Sequence, residues 1–246
     1  MSKQTLTIKN KASFIKFLTA ASGLYEQCII HCNSETNILD VFVSTESEQV
    51  ILYSEYMNID VSEDITMNIP DLKKLIRMLA LISLDEFVLN INNNSISYST
   101  PSLSFKYHLY EDGIIRVKKI NKDLLRNFKG EYSFVVSSDM IDNLIKQSSV
   151  LGNIEFVYIR GENGKIICNI TDKKIPNVDN IENILLDTGD ASISFNEMKF
   201  SLDNIRLLTS MKCANINWQI HTKYNCIVST SKIDDCVGYY SITALI

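Results

Sequence analysis

Four segments with helical spacing interrupt a chain that otherwise has the texture of short β-strands. The predicted helices cover residues 12–24, 70–82, 138–151 and 203–210, and each carries apolar residues three and four positions apart. The residues between them are rich in β-branched and aromatic side chains, and several runs alternate apolar and polar residues. The pattern predicts an α+β fold made of antiparallel strands and a few amphipathic helices.

The helical segments repeat between the two halves of the chain. The motif that begins at Phe14 matches the one that begins at Met140 at an offset of 126, and the motif at Leu72 matches the one at Ile205 at an offset of 133. Such self-similarity predicts two copies of one structural unit. We expect domain 1 at residues 1–112, an exposed connector at 113–130 and domain 2 at 131–246.

The amino-acid composition excludes several classes of protein. The 246 residues carry a formal net charge of −5, which excludes a strongly basic DNA-coating protein but leaves room for a local basic patch. The longest apolar stretch contains Arg77 and Ser83, so no membrane span is expected. The N-terminus lacks an apolar signal region, and the six cysteines form no tight framework, so we expect reduced thiols in a cytoplasmic compartment.

Catalytic and metal-binding motifs are missing from the sequence. It contains no phosphate-binding glycine loop, nucleophile elbow or zinc-protease motif, and its three histidines are scattered. Cys28, His31 and Cys32 could suggest zinc, but on a strand the two cysteines point to one face and the histidine to the other. We therefore predict no catalytic residue, no metal and no cofactor, and a protein that is not an enzyme.

The polar faces of the helices are the most informative feature. Lys73, Lys74 and Arg77 lie opposite the apolar stripe of their helix, which contains no acidic residue after Asp71. On an acidic chain, net-basic helix faces suggest a surface for phosphates, although ordinary solvated faces are the alternative. Asp139 and Asp142 weaken the pattern on the third helix. The candidate DNA-binding residues are Lys11, Lys16, Lys73, Lys74, Arg77, Lys146 and Arg206.

Three segments carry a resemblance to a known family. Residues 198–218 and 239–245 are similar to the last helix and strand of DNA sliding clamps, with the T-even-type phage clamps as the nearest likeness, and residues 8–24 resemble that family's first strand and helix. The chain departs from the pattern where Thr209, Ser210 and Met211 replace a Pro-Gly pair, and the acidic tail is missing.

The resemblance implies the DNA clamp fold, two repeated domains with antiparallel sheets outside and two helices each inside. It also implies a homotrimeric ring that encircles double-stranded DNA without reading its sequence. Such a ring tethers the replicative DNA polymerase and is opened by a clamp loader ATPase. Two alternatives stay open: a clamp-like factor of a DNA virus that acts without forming a ring, and a β-rich structural protein of a virion.

Partner and subunit contacts can be assigned to residues on the same basis. The expected partner-binding residues are Val41, Val43, Ile114, Ile115, Val117, Tyr239, Tyr240 and Ile242. Ile114 and Ile115 could instead simply hold the connector against a sheet. We expect the strand at 103–110 to be an edge that pairs with residues 184–187 of a neighbouring subunit. The interface candidates are Phe105, Tyr107, Leu109, Ile184 and Leu186.

Overall fold

A computed structural model describes residues 4–45, 50–116, 129–152, 154–175, 178–190, 192–209, 215–232 and 237–244, without the side chains of 207–209, 232 and 237–244. The helices in these ranges are α1 (Lys11–Ser22), α2 (Leu72–Ala80), α3 (Ser138–Val150) and α4 (Leu202–Thr209). The strands of the first half are β1 (Gln4–Ile8), β2 (Cys28–Asn33), β3 (Ile38–Ser44), β4 (Val50–Tyr56), β5 (Ile59–Val61), β6 (Ile65–Ile69), β7 (Phe87–Asn92), β8 (Ser95–Ser99) and β9 (Ser104–His108). Those of the second half are β10 (Tyr132–Ser137), β11 (Phe156–Glu162), β12 (Lys165–Thr171), β13 (Asn180–Asp187), β14 (Phe195–Ser201), β15 (Asn215–His221), β16 (Cys226–Lys232) and β17 (Val237–Ala244).

The chain divides into two compact units. Unit 1 contains residues 1–122 and 232–239, and unit 2 contains residues 123–231 and 240–246. The division between residues 122 and 123 falls inside the segment that the sequence analysis assigns to the connector. No helix in the described ranges is long and apolar enough to cross a membrane.

Unit 1 packs a pair of helices against antiparallel strands. One sheet has the order β5-β1-β7-β8-β9, and in a second layer β4, β3, β2 and β6 are neighbours in that order. Phe14 and Phe17 of α1 contact the ring of Tyr56, each with centroids 5.3 Å apart. The Tyr56 hydroxyl donates to the Asn10 carbonyl at 3.0 Å, so the same tyrosine also holds the start of α1.

Unit 2 repeats this arrangement with different residues. One sheet has the order β13-β12-β11-β14, and β10, β15 and β16 are neighbours in a second layer. Trp218 is fully buried and meets the ring of Phe134 edge-on, with centroids 6.1 Å apart. Helices α3 and α4 pack against each other, as α1 and α2 do in unit 1.

All four predicted helices are confirmed, but the offsets of the repeat are wrong. The Asn10 side chain accepts from Ser13 N at 2.8 Å and the Ser137 side chain from Met140 N at 3.1 Å, so α1 and α3 correspond at an offset of 127. In the same way, Leu72 N donates to Glu26 O at 2.7 Å and Leu202 N to Glu155 O at 2.9 Å, which gives an offset of 130 for α2 and α4. Aligning the helices by their apolar residues gave the wrong offsets, because neighbouring positions of a helix can both be apolar and the pattern then fits at more than one offset. Each helix has a single N-cap residue, so the caps give one alignment.

The strand predictions need two corrections. The composition of residues 191–195 predicts a strand there, but β14 begins at Phe195, and the Asp190 side chain accepts from Ser192 N at 2.9 Å in a turn before it. The short strands β5 and β6 were not predicted from the sequence. Turn-forming side chains such as that of Asp190 compete with strand pairing, which alternation alone does not reveal.

Candidate functional site

The exposed charged residues of α1 and α2 are all positive. Lys16, Lys73, Lys74 and Arg77 are exposed, while Leu72, Leu75 and Leu79 are buried on the opposite side of α2. Neither helix contains an acidic residue. The structure therefore places four of the candidate cations on the solvent side of one helix pair.

The four cations differ in their partners. Lys73 Nζ lies 3.0 Å from Glu26 Oε1, and both side chains are more than half exposed, so this ion pair contributes little to stability. In the described part of the chain, Lys16, Lys74 and Arg77 make no ion pair. These three side chains are the ones whose charge is most available to an anion.

Lys11 has a structural role that the sequence did not suggest. Its ammonium donates to the carbonyl of Ile82, just after α2, and its backbone N donates to Asp85 O at 2.9 Å. The side chain is half-buried. Lys11 thus links the start of α1 to the end of α2, and its charge is partly used within the fold.

The exposed side of the α3–α4 pair has a different charge. Lys146 is exposed, but Asp139 and Asp142 are exposed on the same helix. Arg206 Nη1 donates to Asp203 Oδ1 at 2.9 Å, one turn earlier on α4. The two candidate cations of unit 2 therefore lie among carboxylates.

The two strands proposed for subunit contact both lie at sheet edges among the described strands. β9 ends the sheet of unit 1 and pairs only with β8, and β13 ends the sheet of unit 2 and pairs with β12. Ile184 is exposed, whereas Phe105, Leu109 and Leu186 are half-buried. These positions leave backbone groups of both strands open to a further strand.

Tyr107 lies inside unit 1 rather than on a contact surface. It is 3% exposed, and its hydroxyl donates to Asp71 O at 2.8 Å and accepts from Asp71 N at 2.9 Å. Burial raises the pKa of this hydroxyl well above its usual value. The residue joins edge strand β9 to the N-terminus of α2, so its assignment to a subunit contact is corrected.

An apolar groove that the sequence analysis missed lies next to this edge. It has a volume of roughly 460 Å³ and is lined by Leu81, Ser83, Leu84, Tyr98, Thr100, Ser102 and Leu103. Leu81 and Leu84 are more than half exposed.

In unit 2, Val150 at the end of α3 is 81% exposed, and a bond of 2.7 Å between Asn183 Nδ2 and Gln147 Oε1 joins α3 to β13. Each edge strand therefore has exposed apolar side chains near it.

The partner-binding candidates divide by exposure. Val41 and Val43 are fully buried in β3, so neither side chain is available to a partner, and this part of the prediction is corrected. Ile114 is 55% exposed and Ile115 only 6%. Val117 lies outside the described residues, as do the side chains of Tyr239, Tyr240 and Ile242.

The described residues offer no metal site. They contain no group of three or more His, Cys, Asp or Glu side chains that could hold an ion. Cys28 and Cys32 are buried on one face of β2, and His31, on the other face, lies with its Nδ1 2.9 Å from Thr66 Oγ1. Burial raises the pKa of Cys32 to about 12, which leaves its thiol protonated and unreactive near neutral pH.

Comparison with solved structures identifies the fold of this chain. No family model and no curated protein matches the sequence. The chain is similar to PCNA from A. fulgidus, solved with the C-terminal region of FEN-1 bound, at 12% identity and a TM-score of 0.74, over 100% of this chain and 98% of that one. It is similar to PCNA from Entamoeba histolytica at 14% identity and 0.71, over the whole of both chains. The Helicobacter pylori beta clamp matches at 11% identity and 0.78, over 100% of this chain and 67% of that one. The expected DNA clamp fold is confirmed.

Proposed function

We propose that this protein is a DNA sliding clamp that encircles duplex DNA and tethers the replicative DNA polymerase, without catalysing a reaction. The observation that carries this proposal is the exposed face of α1 and α2, two helices that have four exposed cations and no acidic residue on an otherwise acidic chain. On a clamp fold, a positive helix face of this kind can bind the phosphates of the DNA backbone. Lysine and arginine on a helix surface bind phosphates as diffuse charges and read no bases.

Ring closure in this proposal uses the two sheet edges. A β9 edge of one subunit pairs with the β13 edge of the next, and repetition of this head-to-tail contact closes a homotrimer. The groove beside Leu81 and Leu84 and the exposed Val150 supply apolar surface next to each edge. Pairing covers open strand edges that a free subunit would leave exposed to aggregation.

Partner proteins in this proposal attach through short peptides. The similar PCNA of A. fulgidus is solved with a segment of FEN-1 bound, which is a precedent for such binding on this fold. For this chain we propose the polymerase and an ATP-driven clamp loader as partners. Among the candidates whose side chains are described, Ile114 offers the largest exposed apolar surface to a peptide.

The salt dependence of DNA binding tests the proposal. Lys73→Ala, Lys74→Ala and Arg77→Ala together should flatten the plot of log K against log salt, because each phosphate contact contributes about −0.9 to the slope. Binding is measured by fluorescence anisotropy with duplexes of two unrelated sequences, which should behave alike. Alanine preserves the helix, and the apolar face is untouched.

A second triple variant provides the control. Lys173→Ala, Lys174→Ala and Lys223→Ala remove the same charge from two turns of unit 2, and this protein should keep the wild-type slope. Equal slopes for the helix variant and the wild type would mean that α2 does not contact DNA. That result would contradict the proposed function.

A further inference from the structure

The two helix pairs occupy equivalent places in their units but differ in charge. The caps and entry hydrogen bonds described above fix which residues correspond. Corresponding positions are occupied by Lys16 and Asn143, by Lys73 and Asp203, by Arg77 and Leu207, and by Ala12 and Asp139. At three of these positions a cation in unit 1 corresponds to a neutral or acidic residue in unit 2, and at the fourth a neutral residue corresponds to an acidic one. Two other positions show the reverse, because Thr19 corresponds to Lys146 and Ile76 to Arg206.

The charge difference is visible over the whole exposed face of each pair. Unit 1 presents Lys16, Lys73, Lys74 and Arg77, with Glu26 as the carboxylate that pairs with Lys73. Unit 2 presents Lys146 and Arg206, and one of these two is already bonded to Asp203. Three exposed carboxylates on α3 and α4, Asp139, Asp142 and Asp203, outnumber the two cations of these helices.

Because salt screens distant charges, the charge of each helix pair determines whether it attracts a DNA phosphate. The Debye length is about 8 Å at physiological salt, so a phosphate responds to the side chains within a turn or two of its own position. A phosphate near α1 and α2 therefore meets a positive surface. A phosphate near α3 and α4 meets a surface that is neutral to negative, where the gain at one lysine is offset by repulsion from nearby carboxylates.

We propose that the DNA backbone is bound by the α1–α2 face of unit 1 alone, and that the α3–α4 face of unit 2 makes no net attractive contact with it. This inference rests on the proposed function, because it concerns how the two helix pairs share the duplex. In the proposed homotrimer each subunit then contributes one DNA-binding helix pair. Lys146 and Arg206 then leave the set of DNA-binding residues.

Two double variants of the full-length protein test the inference. Lys74→Ala with Arg77→Ala removes two cations from unit 1, and Lys146→Ala with Arg206→Ala removes two from unit 2. All four side chains are exposed, so both variants should fold, which thermal unfolding checks. Affinity for a duplex of mixed sequence is measured across a salt series, as for the triple variant.

We expect the unit 1 variant to lose at least about 0.9 from the magnitude of the salt slope and the unit 2 variant to keep the wild-type slope. Equal losses in the two variants would overturn the inference and leave the proposed function standing, because both helix pairs would then bind DNA. A wild-type protein with no salt-dependent binding to duplex DNA would overturn the proposed function itself, and the inference with it.

Discussion

At the residue scale, one tyrosine connects an edge strand to a helix cap. The Tyr107 hydroxyl bonds both backbone groups of Asp71, and the Asp71 side chain accepts from Lys74 N at 2.7 Å. The start of the most basic helix is therefore fixed from the core side by a buried phenol. The helix that carries Lys73, Lys74 and Arg77 thus begins next to a residue held by Tyr107, which is itself buried.

Removing this hydroxyl should destabilise unit 1. Tyr107→Phe leaves the Asp71 N–H without its partner at a half-buried position, while the Asp71 carbonyl keeps its bond from Leu75 N at 3.1 Å. We expect a loss of about 1–3 kcal/mol in the free energy of unfolding. Urea denaturation followed by circular dichroism measures it. Tyr110→Phe is the control, because Tyr110 is 39% exposed and its hydroxyl should matter less. A Tyr107→Phe protein as stable as the wild type would contradict this role for the hydroxyl.

Substitutions at the neighbouring Ile114 and Ile115 test partner binding and folding separately. Ile114→Asp changes a side chain that is 55% exposed, and it should weaken the binding of the C-terminal peptide of the polymerase at least about tenfold, as expected for loss of an apolar anchor. Calorimetry measures the affinity. Ile115→Asp places a charge at a buried position and should lower the unfolding temperature instead. Unchanged peptide affinity in Ile114→Asp would remove this residue from the partner site.

At the scale of elements, the alternation of backbone bonds shows which side of β9 is open. Leu109 N donates to Asn94 O at 2.9 Å, and Leu103 O accepts from Thr100 N at 2.8 Å, so odd-numbered residues of this segment bond towards β8. In an antiparallel pair the intervening residues point the other way. The N–H groups of Ser104, Lys106 and His108 therefore face the free edge.

A proline at this edge should prevent a neighbouring strand from pairing with β9 without affecting the folding of the subunit. Lys106→Pro removes an outward N–H that a neighbouring β13 would need but that β8 does not use. We expect this variant to be monomeric by light scattering, with an unfolding temperature close to that of Lys106→Ala, which keeps the N–H and should assemble normally. Assembly of the proline variant would exclude β9 as the subunit contact.

At the scale of the whole molecule, the proposed ring makes a prediction about mass. A homotrimer should have three times the chain mass of 28.0 kDa in size-exclusion chromatography with light scattering, and electron micrographs of negatively stained particles should show a central hole. The assembly should persist at high salt if apolar groove and strand contacts close it, because screening weakens ion pairs but not apolar burial. A stable monomer at micromolar concentration would argue against the ring and for a clamp-like protein that does not encircle DNA.

The sequence by itself determined the fold class, the four helices and the twofold repeat. These follow from apolar periodicity, which is a local property that a helix or strand needs in order to bury one face. The exposed cations of α2 were predictable for the same reason, since they lie opposite Leu72, Leu75 and Leu79. The edge position of the strand around Tyr107 also followed from the sequence.

Tertiary structure alone decided how these residues are used. Val41 and Val43 are apolar in a strand that is buried on both faces, so alternation could not show which face they occupy. The bonds of Lys11 to the end of α2, of Lys73 to Glu26 and of Tyr107 to Asp71 join residues far apart in the chain. The correspondence of positions between the two helix pairs became clear only from their caps and entry bonds, because it is set by packing and hydrogen bonds rather than by the spacing of apolar residues.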